Sequence, residues 1–127
     1  MIKGTEYAKC QNEQQFKVRY VNKVLRKLYP TVFCIETEET VSGFPDVLCL
    51  QKNSKAVFYE FKFSNAQGKI KFQPTQPAFY RLHSDLDIWV VALNNKTKEA
   101  VVFPVWDISS KKDERRFYIN EKAEVQL

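Results

Sequence analysis

Two charges stand where a buried strand should carry none. The stretch from Ala56 to Phe63, AVFYEFKF, is rich enough in aromatic and β-branched residues to read as a core strand. Side chains on a strand alternate between faces, so Val57, Tyr59, Phe61 and Phe63 share one side while Phe58, Glu60 and Lys62 share the other. A carboxylate and an ammonium in such a place are costly to bury and call for a compensating role. Gly43, Phe44, Pro45 and Asp46 lead into a second strand-like run, Val47 to Leu50, and a polar QKNSK turn joins the two runs. Paired as a hairpin, the runs bring Asp46 level with Glu60. Two carboxylates so placed are hard oxygen ligands for a divalent cation, whose shell waters and a substrate phosphate would complete. Lys62, one step along the same face, is placed to orient or deprotonate a water or to stabilise developing negative charge. The pattern suits phosphodiester hydrolysis. Its plain rival is an exposed cross-strand ion pair worth less than about 1 kcal/mol.

Upstream, residues 12–29 read as an amphipathic helix, with Phe16, Tyr20 or Val21, Val24, Leu25 and Leu28 at helical spacing, Asn12 as N-cap and Pro30 as stop. Glu13 falls in the first turn, where it either complements the helix dipole or serves a metal. Thr31 to Thr37 reads as a strand. Gly43 is either an ordinary turn glycine or one that lets the backbone pass close to a ligand. Downstream, residues 64–72 form a polar connection in which Lys69 and Lys71 are either surface charge or grips on a substrate backbone. A second helix is expected from Pro74 or Thr75 to about Ser84, with Gln76 and Tyr80 on one face. Those two either hydrogen-bond an attacking water or a phosphate, or are a capping glutamine and a half-buried tyrosine. Asp87 to Leu93 and a run from Ala100 read as buried strands. Trp89 and Trp106 are expected to pack, and His83, with no Ser or Cys partner, to be surface or structural. The order helix, three strands, helix, two strands predicts an α/β fold: a central mixed β-sheet flanked by α-helices.

At 127 residues the chain is expected to form a single domain over residues 1–127. Twenty Lys and Arg against fifteen Asp and Glu leave a net charge of +5, which suits a phosphate-bearing partner. The expected nucleic-acid contacts are Lys69, Lys71 and Tyr80, together with the densest basic cluster, Lys111, Lys112, Arg115 and Arg116. That cluster is a clamp or a solvated loop. Three cysteines without a C-x-x-C spacing predict reduced thiols. With no apolar run of membrane-spanning length and no apolar core near the N-terminus, a soluble cytoplasmic protein without membrane association is expected.

Gly43-Phe-Pro-Asp46, then Glu60-Phe-Lys62 and Pro74-Thr-Gln76, resembles the signature of the PD-(D/E)XK nuclease superfamily. Within it the chain is most similar to the small virus-type replication-repair nucleases (VRR-NUC), over Glu13 to about Leu93. Gln73 competes with Gln76 for the last position. The resemblance implies a restriction-endonuclease-like core and a Mg²⁺-dependent DNA endonuclease, with Mn²⁺ able to substitute. It further implies selectivity for branched or junction DNA, a homodimer, and a phage or mobile-element setting. Carried over residue by residue, it makes Asp46 and Glu60 metal ligands, adds the Phe61 backbone carbonyl and Glu13 to that set, and makes Lys62 and Gln76 catalytic. The alternative is a catalytically silent module on the same fold that binds nucleic acid or protein. Such modules commonly lose an acid or the lysine, and all three are present here.

Overall fold

The computed structural model describes residues 6–35 and 43–105, and beyond them the backbone of two short strands. Residue 36, Trp106, Lys111, Lys112 and Arg115 lie outside the described residues, and of Arg116 only the backbone is described.

Strand β3 (Ala56–Phe63) is interior because both of its faces are covered, and every residue from Val57 to Lys62 is buried. Three further strands are β1 (Thr31–Cys34), β2 (Val47–Leu50) and, after a short β4 (Lys69–Lys71), β5 (Ile88–Leu93). β2 runs antiparallel to β3 in the register Val47 to Tyr59 and Leu50 to Ala56, so the expected hairpin forms. β1 pairs antiparallel with β2 on its far side. It ends at Cys34, three residues short of the expected Thr37, and the chain beyond Ile35 is not described up to Gly43. On the other flank β5 lies parallel to β3, with Glu60 beside Val90 and Lys62 beside Ala92. β6 (Ala100–Pro104) returns antiparallel to β5. With β7 (Arg116–Tyr118) and β8 (Glu124–Val125), the strands make a six-stranded mixed sheet ordered β1-β2-β3-β5-β6-β8 and a two-stranded ribbon of β4 and β7.

Parallel neighbours cannot be joined by a tight turn, so the chain between β3 and β5 must cross a face of the sheet. That crossing carries β4 and helix α3 (Thr75–Leu82). β4 replaces part of the expected polar connection: two lysines mask the strand in the sequence, while Ile70 between them is buried. Phe58, Val90, Ala92 and Phe103 pack against Ile70, Phe72, Phe79 and Tyr80 on this side. The opposite face buries Val57, Tyr59, Phe61 and Val91 under the N-terminal helix. Helices therefore cover both faces, which is the expected α/β arrangement.

The N-terminal helix is not uniform. α1 (Glu13–Tyr20) passes into a π-helical segment (Val21–Leu25) and then α2 (Arg26–Leu28). Phe16, Tyr20, Val21 and Leu25 are all buried, a set spread too widely around a helix of 3.6 residues per turn. A wider turn swings the later two back onto the sheet. Asn12 caps the helix as expected, its side chain accepting from the Gln15 N–H at 2.8 Å. Leu28, expected on the apolar face, is instead 65% exposed. The helix ends there because Tyr29, ahead of Pro30, takes the extended conformation that a residue before proline favours. No helix among the described residues is long and apolar enough to cross a membrane, and the three cysteines are free.

Gly43 ties the loop before Asp46 to the start of α3. Its φ of +87° lies where side chains are strained, and a Cβ built there would overlap the Thr75 carbonyl oxygen and come within 2.9 Å of the Phe79 Cβ. Phe44 adds ring contacts to Phe58 at 5.6 Å and Phe79 at 5.5 Å. Gly43 lies in a turn with positive φ, and the close approach its missing Cβ permits is to the backbone of α3, which neither reading of it foresaw. Gly43→Ala is expected to cost at least about 2 kcal/mol, from positive-φ strain plus the clash. The urea midpoint should then fall with an unchanged slope.

Candidate metal and catalytic site

The β2–β3 hairpin and the crossover together gather Asp46, Glu60, Lys62, Phe72 and Gln76 on the α3 side of β3. Antiparallel pairing fixes the first two. Asp46 is the residue just before β2, one step beyond the Val47–Tyr59 pair, and so is level with Glu60. Its Oδ2 accepts the Phe61 N–H at 2.9 Å, which turns the carboxylate toward β3. The Phe58 and Ser64 N–H groups donate to β5-side carbonyls of Asp87 and Leu93, so even-numbered residues spend their backbone groups on that edge. Phe61, odd-numbered, turns its N–H and carbonyl to the other edge, where β2 has ended.

Glu60 is 3% exposed and Lys62 8% exposed. Gln76 binds both. Its Nε2 donates to Glu60 Oε2 at 2.9 Å, and its Oε1 accepts from Lys62 Nζ at 2.9 Å. The Gln73 N–H also donates to Gln76 Oε1 at 2.8 Å. Of the two glutamines, Gln76 has its side chain buried in the cluster, while Gln73 is exposed and contributes its backbone N–H. Lys62 Nζ lies 3.6 Å from Glu60 Oε2 and 4.7 Å above the Phe72 ring. Phe72 is a member that sequence reasoning missed. The alternation of Ile70 and Phe72 with Lys69 and Lys71 was the signal that could have found it.

Of the two Glu60 oxygens, Oε2 has Gln76 and Lys62, while Oε1 is buried with no partner among the described residues. Burial pushes the Glu60 pKa up to about 8, with the Asp46 charge adding to the rise and Lys62 and Gln76 opposing it. Two acids level with each other on neighbouring chain segments, one of them with an unused buried oxygen, fit a hard divalent cation. Asp46, Glu60 and the Phe61 carbonyl are the groups that would hold it. Among the described residues, no three His, Cys, Asp or Glu side chains converge closely enough to enclose a metal alone. A magnesium-type site needs only one or two carboxylates, with water and phosphate oxygens as the rest.

Glu13, at the start of α1, faces the same region from the rim. It keeps solvent contact, yet crowding by protein raises its pKa, with Lys62 opposing that rise and Asp46 adding to it. It is therefore within electrostatic reach of the cluster without closing the ligand set.

The expected nucleic-acid contacts divide. Lys71 is exposed and Lys69 partly so, on the strand leading out of the site, and Lys71 stands opposite Arg116 in the β4–β7 register. Tyr80 must be corrected: it is 2% exposed, packed edge-on against Phe72 at 6.3 Å, and so offers no surface to a polynucleotide. The cause is the α3 face it shares with Gln76, which points at the sheet. His83 lies against the Phe79 ring at 4.4 Å, and Trp89 is partly buried with its indole N–H bonded to Asp87, both packing roles. No known family model matches the chain, and no curated protein matches its sequence.

In the unfolded chain Glu60 loses its proton near 4.5, whereas in the folded chain it keeps it to about 8. Between those values the folded state holds the extra proton. Stability from this group is thus full below the lower value and is lost as pH rises through the upper one. In metal-free buffer, the fall in melting temperature over that interval should be shallower in Glu60→Gln than in the wild type.

Proposed function

We propose that this chain is a divalent-metal-dependent nuclease of the PD-(D/E)XK kind, hydrolysing phosphodiester bonds in DNA. The observation that carries the reading is the buried Glu60 carboxylate, level with Asp46, with one oxygen held by Gln76 and Lys62 and the other left over. A structural ion pair has no use for that asymmetry. A buried pair that serves stability alone is matched or bettered by hydrocarbon of similar volume, so its presence on a core strand asks for chemistry.

Bound Mg²⁺, or Mn²⁺ in its place, would neutralise charge on the scissile phosphate and lower the pKa of a bound water. The chain's own groups supply the rest. Asp46 is aimed by the Phe61 N–H, which holds one of its oxygens and leaves the second without a hydrogen bond among the described residues. Lys62, held by Gln76 and seated on Phe72, presents its ammonium where it can steer a water or stabilise charge on phosphate oxygen. Gln76 holds Glu60 and Lys62 at a fixed separation, which preserves the orientation that hydrolysis needs. The net charge of +5 and the exposed lysine of β4 favour a polyanionic substrate. Selectivity for branched DNA, pairing of two copies to cut both strands, and a phage setting belong to the same reading and rest on the resemblance in Gly43–Asp46, Glu60–Lys62 and Gln76.

Of linear, flapped and branched DNA, the branched substrate should be cleaved fastest with Mg²⁺ or Mn²⁺, and all three should be left intact with EDTA. Asp46→Ala and Lys62→Ala should each lower turnover about a hundred-fold or more while DNA binding persists. Binding without cleavage of any substrate would instead identify a silent DNA-binding module.

A further inference from the structure

Phe33 is 51% exposed on β1, the edge strand of the sheet, and belongs to neither of the two buried clusters. A lone exposed apolar residue is ordinary, so its place in the fold decides what it can do. Phe33 pairs with Leu48, and Leu48 with Phe58, so all three share the face that carries Glu60 and Lys62. The Ile35 N–H donates to the Asp46 carbonyl at 2.7 Å, which carries the β1–β2 register one pair past Cys34 and Val47. Phe33 is thereby the diagonal neighbour of Asp46 on that face, a separation of roughly 7–8 Å.

The same face stays open around it. α3 and β4 cover the part over β3 and β5, whereas Leu48 and Leu50 on β2 are partly exposed. Roughly 16 Å beyond Asp46 along β2, at about 3.3 Å per residue, the hairpin turns. There Lys52 and Lys55 are exposed, on a turn fixed by the Gln51 N–H bonded to the Lys55 carbonyl at 3.0 Å and the Ser54 N–H bonded to the Gln51 carbonyl at 2.9 Å. One line along the hairpin therefore runs from the two acids past an apolar ring to two ammonium groups. That order matches a single nucleic-acid strand, whose phosphates seek positive charge and whose bases seek a flat apolar surface. A second copy of the chain is a poorer occupant. A stable interface takes roughly 800 Å² a side, and among the described residues of this patch one half-exposed ring and two partly exposed leucines fall short of it.

We infer that Phe33 is a stacking platform for an unpaired base of the DNA strand held at Asp46, with Lys52 and Lys55 meeting phosphates further along the same strand. This rests on the nuclease reading and deepens it: the substrate class becomes DNA with unpaired nucleotides beside the cut. A base inside a duplex has both faces taken by its neighbours, so blunt duplex gains nothing from the ring.

The test measures binding of oligothymidine, a flapped duplex and a blunt duplex to the full chain by fluorescence anisotropy in EDTA, where nothing is cut. Phe33→Ala should weaken oligothymidine and flap binding about ten-fold and leave blunt-duplex binding unchanged, which also reports an intact fold. Phe33→Trp should bind as the wild type does, while Phe33→Leu, apolar without a π face, should behave as Phe33→Ala. With Mg²⁺, the preference for flapped over linear DNA should fall by the same factor in Phe33→Ala. Oligothymidine affinity that Phe33→Ala does not move, or a loss shared equally by blunt duplex, overturns the inference. So does a wild-type dimer that Phe33→Ala dissociates in sedimentation, which would make the patch a contact between copies. Cleavage by the wild type alongside unmoved oligothymidine affinity sinks the platform and keeps the nuclease. The ten-fold loss in EDTA without any cleavage by the wild type sinks the nuclease and keeps the platform.

Discussion

A carboxylate inside a protein must be answered by something, and here the answer is an amide. Glu60 needs a donor and Lys62 needs an acceptor, and of the uncharged side chains that carry both in a fixed relation, Gln76 sits between them. Its amide orientation is fixed twice over, because the Gln73 N–H also points at the oxygen. A carboxylate at position 76 would lose the donor and bring a further negative charge to Glu60, and an apolar residue would leave the two ions only each other, 3.6 Å apart. The arrangement on the α3 side of the sheet follows from this bridge: α3 must be near, its first turn must face β3, and Gly43 must leave room for it.

The two faces of the sheet divide the work. Behind β3, Phe61 meets Phe16 and Tyr20 edge-on at 5.8 and 5.7 Å, and Tyr59 shares a hydroxyl–hydroxyl bond of 2.6 Å with Tyr29. This aromatic backing holds the strand still without offering any chemistry. In front, the same strand shows its two charges to a helix that arrives only because β3 and β5 are parallel. A hairpin in place of that parallel pair would need no crossover and would leave Glu60 facing solvent or hydrocarbon.

Much of this was legible in the sequence, for identifiable reasons. The period of two in AVFYEFKF assigns the faces of β3, and a polar turn of five residues sets the register that makes Asp46 level with Glu60. Asn12 and Pro30 mark helix ends through backbone chemistry that acts locally. What was illegible depends on partners distant in the chain. The π-helical segment is a response to the sheet it packs on, so a sequence that permits Tyr20 or Val21 on the apolar face does not reveal that both are used. The depth of Tyr80 and the part played by Phe72 emerge only once α3 and β4 lie on β3. The parallel neighbour of β3 is likewise a matter of topology, which alternation within one strand does not encode.

The bond that aims Asp46 comes from the main chain at Phe61 rather than from a side chain. Its donor is therefore insulated from most genetic change. Exchange of Phe61 for another apolar residue disturbs the aromatic backing and leaves the aspartate held, and only proline, which lacks the hydrogen, removes the tether outright. The site thus leans on two kinds of support with different tolerances: an amide side chain that almost no other residue can mimic, and a peptide group that nearly every residue supplies.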